Sequence, residues 1–217
     1  MLNNDLLSSG FVGEDIPSQE SMFSNISEFY RSESGYSCLH LCRRYGKLHI
    51  LKSLQPPFRQ EEFYKQLLHK EFNIGYQLDH PNIRHTIDWE QQEDLGLCIV
   101  MEYVDGISLK EFMIQGKLTQ PLAYKFIREL CEALHYIHSK QLVHKDLKPE
   151  NIIITHNGNN VKLIDFGLSD RDDYDTLKIP AGTKKYLAPE QLLPHASPDC
   201  RTDIYSLGVI IQDITSV

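Results

Sequence analysis

The feature that most restricts the fold of this chain is a change of pattern near Gly106. Before that point, the apolar residues follow the spacing expected of β-strands and of one helix. These predicted elements are three strands at 36–42, 47–54 and 97–104 and a helix at 61–78. After it, a helical stripe of apolar residues begins near Thr119 and Pro121 and continues to about Lys140. The sequence therefore predicts an α+β fold, in which a sheet-rich part with one helix precedes a mainly helical part.

The boundaries of the parts follow from the same patterns. Residues 1–28 are polar and acidic and contain turn-forming residues, so we expect a flexible extension there. We expect a first lobe at 29–104 and a second lobe at 105–217. Ser108 is the predicted N-cap of a short helix at the start of the second lobe.

Composition and charge exclude several classes of protein. The chain is 41% hydrophobic and 24% charged, and its formal net charge is -8 with both signs interspersed. Because Lys and Arg occur in no run longer than a pair, we expect no nucleic-acid partner. The longest apolar runs, such as 97–101, are too short to span a bilayer, and no Lys or Arg precedes Arg31 as a secretion signal would require. We therefore expect a cytoplasmic protein with no membrane partner.

The cysteines support the same compartment. The five of them are scattered and form no CxxC pair. Cys38 and Cys42 alone cannot make a structural zinc site, because four ligands are needed and no matching Cys/His pair follows. We expect free thiols, as is usual in a reducing compartment.

A compact polar cluster lies in the helical half. The sequence HKDLKPEN occupies 144–151, and IDFG follows at 164–167. Between them, the turn sequence HNGNN joins two short predicted strands, at 152–155 and 161–164. Such a hairpin places Asn151 and Asp165 at the same end.

These motifs resemble those of the protein kinase superfamily, specifically of serine/threonine kinases, whose catalytic loop reads H-R-D-L-K-P-E-N. This chain differs there only at Lys145, and DFG at 165–167 and APE at 188–190 follow in the family's order. Thr183, in GTKKYLAPE, resembles the residue that binds the catalytic Asp and Lys in serine/threonine kinases. The resemblance extends from about residue 28 to the end. It implies a two-lobed protein-kinase-like fold and ATP-dependent phosphate transfer to Ser or Thr of a protein substrate.

The chemistry of phosphoryl transfer explains why these residue types are needed. The polyphosphate charge must be neutralised and the acceptor hydroxyl held in line. Asp146 can accept the hydroxyl proton, and Lys148 can lie against the transferring group. Asn151 and Asp165 supply the hard oxygen ligands that Mg²⁺ prefers. We therefore predict Asp146 and Lys148 as catalytic residues and Asn151 and Asp165 as metal ligands, and the resemblance implies that Thr183 is a further catalytic residue.

The resemblance also implies a set of ATP-binding residues. Lys52 is the expected phosphate-binding lysine, and Glu71 is its expected partner on the helix. Met101 resembles the gatekeeper of the nucleotide pocket, and the backbone of Glu102 and Tyr103 resembles the adenine-binding hinge. The remaining residues that we assign to the nucleotide site are Ser34, Gly35, Leu39, Ile50 and Ile153.

The phosphate-binding loop departs from the family pattern G-x-G-x-x-G-x-V. Its three glycines are replaced by Ser32, Ser34 and Ser37, and only Gly35 keeps backbone freedom. A weaker phosphate cradle is expected. Ile50 replaces the alanine that packs on adenine, which should narrow the pocket.

Two further departures concern packing. Gly75 stands four residues after Glu71, where a bulky apolar residue is usual, and with Thr86 it predicts a loosely packed join behind the helix. The large lobe is expected to lack its last helices, leaving Glu190 without a partner. An apolar surface that a partner protein would cover is then expected at Leu207, Val209, Ile210 and Ile211.

Two other interpretations stay open beside an active kinase. The altered loop, Ile50 and Gly75 favour a kinase-like interaction module without activity (a pseudokinase), although every charged catalytic residue is of the required type. A small-molecule kinase of the antibiotic-phosphotransferase type shares the two-lobed plan, but usually lacks the APE and DFG motifs followed by a GTxxY segment.

Overall fold

The computed structural model describes residues 23–32, 35–167, 184–193 and 199–216. The first part of the chain forms one helix and five strands: β1 Phe23–Arg31, β2 Ser37–Arg44, β3 Lys47–Leu54, α1 Glu62–Tyr76, β4 Thr86–Gln92 and β5 Gly96–Glu102. The second part contains β6 Gly106–Ser108, α2 Leu109–Ile114, α3 Gln120–Ser139, β7 Ile152–Thr155, β8 Val161–Leu163 and α4 Cys200–Thr215. The predicted α+β class is confirmed, and Ser108 caps α2 as expected, because its side chain accepts a hydrogen bond from the backbone N–H of Glu111.

The five strands form one antiparallel sheet in the order β1-β2-β3-β5-β4. Helix α1 covers one face, where Leu67 and Leu68 pack with Ile50, Ile99 and Met101. A separate cluster of buried residues fills the other face: Phe23, Cys42, Leu51, Cys98 and Val100. Since alternate residues of β3 belong to the two clusters, the sheet has a core on both faces.

The expected boundary of the N-terminal extension is wrong. Residues 23–28 belong to β1, which pairs with β2 along its length, whereas 1–22 lie outside the described residues. Only Phe23 of this strand is buried. The strand therefore carries no alternating apolar signal, because backbone pairing rather than side-chain burial holds it in the sheet.

The second part is built around α3. Most of its apolar stripe is buried, and Phe126, Leu130 and Ile137 are each 0% exposed, whereas Leu122 and Ile127 are half-buried. The second, three-stranded sheet β6-β7-β8 packs on the same core. Among the described residues, no helix combines the length and apolar character needed to cross a bilayer.

The expected apolar surface on α4 is partly wrong. Leu207 and Ile210 are 6% and 0% exposed, because they pack into the core around α3, whereas Val209 and Ile211 are half-buried. The exposed apolar side chains of this region are instead Leu192, Leu193, Ile204 and Tyr205. A partner protein on this part of the chain stays a prediction.

Glu190 also has a partner, contrary to expectation. The hydroxyl of Thr202 donates a hydrogen bond to Glu190 Oε1 at 3.1 Å. This contact ties the segment carrying Pro189 and Glu190 to the first turn of α4, which lies within the described chain.

Candidate active site

A buried ion pair joins the sheet to α1. Lys52 lies on β3 and Glu71 on α1, and Lys52 Nζ is 2.6 Å from Glu71 Oε1. The two residues are only 5% and 6% exposed. Burial raises the pKa of Glu71, although the neighbouring Lys52 opposes this. Because each charge would be costly to bury alone, the pair fixes the position of α1 relative to the sheet.

Asp165 brings the second part of the chain into the same cluster. It follows β8 with a positive φ of 67°, and its Oδ1 lies 3.2 Å from Lys52 Nζ. The backbone N–H of Gly167 donates to the same oxygen at 3.2 Å. Burial alone would raise the pKa of Asp165, but the cations of Lys52 and Arg84 hold it well below its ordinary value. These cations therefore favour the ionised form of Asp165.

The loop at 144–151 is anchored from beneath by Asp203 on α4. This carboxylate is 0% exposed and accepts hydrogen bonds from the backbone N–H groups of His144 and Lys145, both at 2.9 Å. His138 Nε2 lies 2.8 Å from the same side chain. Lys145 has a positive φ of 66°, so the two backbone contacts hold a strained turn in place.

That turn presents three polar side chains together. Lys148 Nζ lies 2.6 Å from Asp146 Oδ2, and Asn151 Nδ2 donates to the same oxygen at 3.0 Å. Asn151 Nδ2 also lies 2.9 Å from the backbone oxygen of Asp146. Burial raises the pKa of Asp146, while the nearby ammonium of Lys148 acts in the opposite direction. The carboxylate is thus held at two points, by a cation and by an amide.

The predicted metal ligands lie at one end of the β7–β8 hairpin, as expected. Asn151 immediately precedes β7, and the backbone N–H of Ile164, next to Asp165, donates to its carbonyl at 2.9 Å. Because Nδ2 of Asn151 donates to Asp146, the Oδ1 atom of Asn151 is the one left to bind a metal ion. A free amide oxygen and an ionised carboxylate are donors that suit Mg²⁺. Within the described ranges, no cluster of three His, Cys, Asp or Glu suited to a metal occurs.

The residues assigned to the adenine pocket lie mostly on two paired strands. Ile50 of β3 pairs with Met101 of β5, and both are buried in the core beneath α1. Leu39 and Tyr103 pack against that core. The Glu102 side chain accepts hydrogen bonds from Lys162 Nζ at 3.0 Å and from the His85 backbone at 3.1 Å. Ile153 lies apart, on β7.

The described residues of the β1–β2 loop are held by contacts with two side chains, Ser32 within the loop and Gln55 outside it. The N–H of Gly35 donates to Ser32 Oγ at 2.9 Å, and a Cβ on Gly35 would lie 2.5 Å from that oxygen. Gln55 Nε2, just after β3, lies within 3.2 Å of the carbonyl oxygens of Ser32, Gly35 and Ser37. Ser34 and Thr183 lie outside the described residues. Gln55 was missed by the sequence analysis, because nothing local marks a side chain that clamps a loop twenty residues earlier.

The packing behind α1 is tighter than expected. A Cβ on Gly75 would lie 2.3 Å from Thr86 Oγ1, so the helix and β4 are in direct contact there. The prediction of a loose join is wrong at this point, because the absent side chain allows the two elements to approach. Further along, Phe166 is 6% exposed and its ring centre is 5.0 Å from that of His144.

Comparison with known proteins assigns the class. The family model for the protein kinase domain matches residues 33–216. The chain therefore belongs to the protein kinase family, and its fold is the protein-kinase-like arrangement of a sheet-rich lobe followed by a helical lobe.

The relatives that the chain matches include serine/threonine-protein kinases. A probable serine/threonine-protein kinase of Clostridium perfringens is 32% identical over 81% of this chain and 26% of its own length. Serine/threonine-protein kinase PrkC of Bacillus subtilis is 32% identical over 76% of the chain and 26% of its own length. Myosin light chain kinase 3 of Rattus norvegicus is 38% identical over 67% of the chain and 19% of its own length. The chain thus spans about a quarter or less of these relatives.

Proposed function

We propose that this chain is a protein serine/threonine kinase that uses ATP and Mg²⁺ to phosphorylate Ser or Thr of a protein substrate. The observation that carries the proposal is the arrangement around Asp146, whose Oδ2 lies 2.6 Å from Lys148 Nζ and 3.0 Å from Asn151 Nδ2. A carboxylate fixed in this way is ready to orient a hydroxyl group and to accept its proton.

The proposed reaction is a single in-line transfer. The substrate hydroxyl gives its proton to Asp146, its oxygen bonds to the γ-phosphorus, and the bond from that phosphorus to the bridging oxygen breaks to release ADP. Lys148 balances the charge of the transferring group. Asn151 and Asp165 would hold Mg²⁺, which neutralises phosphate charge when it is bound. Lys52 would bind the α- and β-phosphates and is itself held by Glu71.

A protein acceptor is favoured over a sugar or an antibiotic by the family assignment, since the matched model is that of the protein kinase domain. Lys148 supports Ser or Thr as the acceptor, because tyrosine kinases lack a lysine at that place. A cytoplasmic location is part of the proposal. All five cysteines lie in the described ranges and none is in a disulfide, as suits a reducing compartment.

A second candidate is a kinase-like module with little or no activity. One observation favours it: the Gly35 N–H, which a phosphate could otherwise use, already donates to Ser32 Oγ. Phosphate binding must then either displace this contact or rely on fewer backbone donors.

The decisive experiment is transfer from γ-labelled ATP to the chain itself and to a generic Ser/Thr-rich protein. We expect label on Ser or Thr with magnesium and none after chelation. Asp146→Asn should lower this transfer strongly, whereas its matched control Asp88→Asn, on β4 with its side chain 46% exposed, should retain it. A folded sample that transfers no label, whether or not it binds nucleotide, would favour the inactive module.

The Gly35→Ala variant tests the loop. An added Cβ would lie 2.5 Å from Ser32 Oγ, so the Ser32 hydroxyl must move, and a side chain then stands where the backbone could approach a phosphate. We expect the affinity for ATP to fall by about tenfold, which corresponds to about 1.4 kcal/mol. The measurement is the Kd of a fluorescent ATP analogue.

Gly96→Ala is the control for glycine replacement. This glycine is the first residue of β5 and has a φ of 76°, and a Cβ there would meet nothing within 4 Å. It should cost some stability through backbone strain but leave the Kd unchanged. Equal nucleotide affinity in Gly35→Ala and the parent protein would show that the contact between Gly35 and Ser32 is unimportant for binding.

A further inference from the structure

A small cavity lies behind α1, between the helix and the segment that leads to Asp165. Its volume is about 10 Å³, and its walls include Glu71, Gly75, Arg84, Thr86 and Asp165. Because Gly75 approaches Thr86 closely, position 75 of α1 contributes no side chain to this space. The long side chain that reaches it comes instead from Arg84, in the segment between α1 and β4.

The backbone of Arg84 is fixed to the strand that carries Asp165. Its N–H donates to the carbonyl of Leu163 at 2.9 Å, and the N–H of Leu163 donates to the carbonyl of Asn82 at 2.7 Å. Ile83 forms a β-bridge with Leu163. Arg84 is therefore attached to β8 two residues before Asp165, and it also lines the cavity behind α1.

The charges around the cavity balance only when Arg84 is counted. Lys52 faces two carboxylates, with Glu71 Oε1 at 2.6 Å and Asp165 Oδ1 at 3.2 Å. Burial works against the guanidinium of Arg84, and Asp165, Glu71 and Glu102 are the charges that favour it. With Arg84 included, two cations face the two carboxylates that Lys52 would otherwise have to neutralise alone.

One polar atom at the cavity has no direct partner. Glu71 Oε2 is buried, and among the described residues nothing donates a hydrogen bond to it. In the same part of the chain, no carboxylate lies within 4.0 Å of the Arg84 guanidinium. A volume of about 10 Å³ is roughly what one water molecule needs, and such a water requires two or more polar neighbours. Glu71 and Arg84 are suitable neighbours, because one accepts and the other donates.

We propose that Arg84 is a positioning residue, which binds Glu71 Oε2 through a single water in this cavity and so holds Glu71 and Asp165 in line with Lys52. The inference rests on the proposed function, since alignment of these three groups matters for phosphate transfer. In this chain the contact from Arg84, which lies outside the helix, replaces the packing of the bulky apolar residue that α1 lacks at Gly75.

The kinetics of two Arg84 variants distinguish the effect of its charge from the effect of its volume. Arg84→Met keeps an unbranched chain that fills the space but removes the donor, and Arg84→Lys keeps a cation. We expect kcat for phosphate transfer to fall by about 10- to 100-fold in Arg84→Met, with little change in KM for the protein substrate, and to recover largely in Arg84→Lys. Parent-like kcat in Arg84→Met, or equal losses in both variants, would overturn the proposal.

A double-mutant cycle on thermal unfolding does not depend on activity. Arg84→Met should lower the Tm by about 5 °C in the parent chain and by clearly less in the Glu71→Gln background, because one of the two carboxylates that Arg84 faces is then absent. Equal losses in both backgrounds would mean that Arg84 only fills space, and would overturn the proposal. If the parent chain transfers no phosphate, the proposed function fails, and this cycle still decides whether the contact between Arg84 and Glu71 exists.

Discussion

Replacing Asp146 with Asn is expected to lower the rate of phosphate transfer by about two to four orders of magnitude while nucleotide binding stays nearly unchanged. The reason is local. Asp146 Oδ2 accepts from both Lys148 Nζ and Asn151 Nδ2, so an amide at this place either turns its NH₂ towards two donors or points it at the substrate hydroxyl. In neither orientation can the side chain accept a proton.

The measurement pairs single-turnover transfer from γ-labelled ATP with titration of a fluorescent ATP analogue. Lys52, Glu71 and Asp165 make no hydrogen bond to the Asp146 side chain among the described contacts, so the affinity should change by less than about twofold. Asp165→Asn is the informative counterpart, because it should weaken magnesium-dependent nucleotide binding as well. Parent-like transfer by Asp146→Asn would remove Asp146 from the reaction. Loss of nucleotide affinity in parallel with transfer would instead mean that the substitution disturbs the whole site.

The residues that the sequence predicted to lie close together are those that local backbone geometry brings together. Asp146, Lys148 and Asn151 lie within six residues of one another, and a turn followed by a short hairpin is enough to collect them. Lys52 and Glu71 are farther apart, but a strand followed by a helix that packs on it brings them together. The spacing of the motifs predicts these contacts because few backbone conformations can connect such elements.

The contacts that the sequence did not predict join residues that are far apart in the chain. Arg84 has its backbone partner at Leu163, and Gln55 clamps a loop whose serines look like simple replacements for glycine. Neither residue stands in a motif, so its sequence neighbours do not indicate its role. Likewise, Leu207 and Ile210 were expected on the surface because helices after α4 were assumed to cover them, whereas α3 already does so.

The strand β1 was missed for a different reason. Its eight residues after Phe23 are exposed, and its pairing with β2 is interrupted by register shifts. A strand at the edge of a sheet gains its stability mainly from backbone hydrogen bonds on one side, which leave little trace in the side-chain pattern. Periodicity therefore finds strands that have a buried face and overlooks those that do not.

Asp203→Asn is expected to give the largest loss of stability among single substitutions of similar size, at about 3 kcal/mol in the free energy of unfolding. The carboxylate is 0% exposed and faces three N–H groups: the backbones of His144 and Lys145 and the ring of His138. An amide offers one oxygen and turns its own NH₂ towards the remaining donors, so at least one buried N–H loses its partner.

The loss should also reach the reaction, because these contacts hold Lys145 at its positive φ directly before Asp146. Urea denaturation gives the stability, and transfer measured well below the unfolding midpoint gives the effect on the remaining folded protein. Asp199→Ala, at the N-cap of the same helix with its side chain 40% exposed, is the control and should cost only about 1 kcal/mol. If the two variants unfold at the same urea concentration, the anchor beneath the catalytic loop contributes no more than an ordinary helix cap. A loss of transfer in Asp203→Asn with unchanged stability would place its role in the alignment of Asp146 alone.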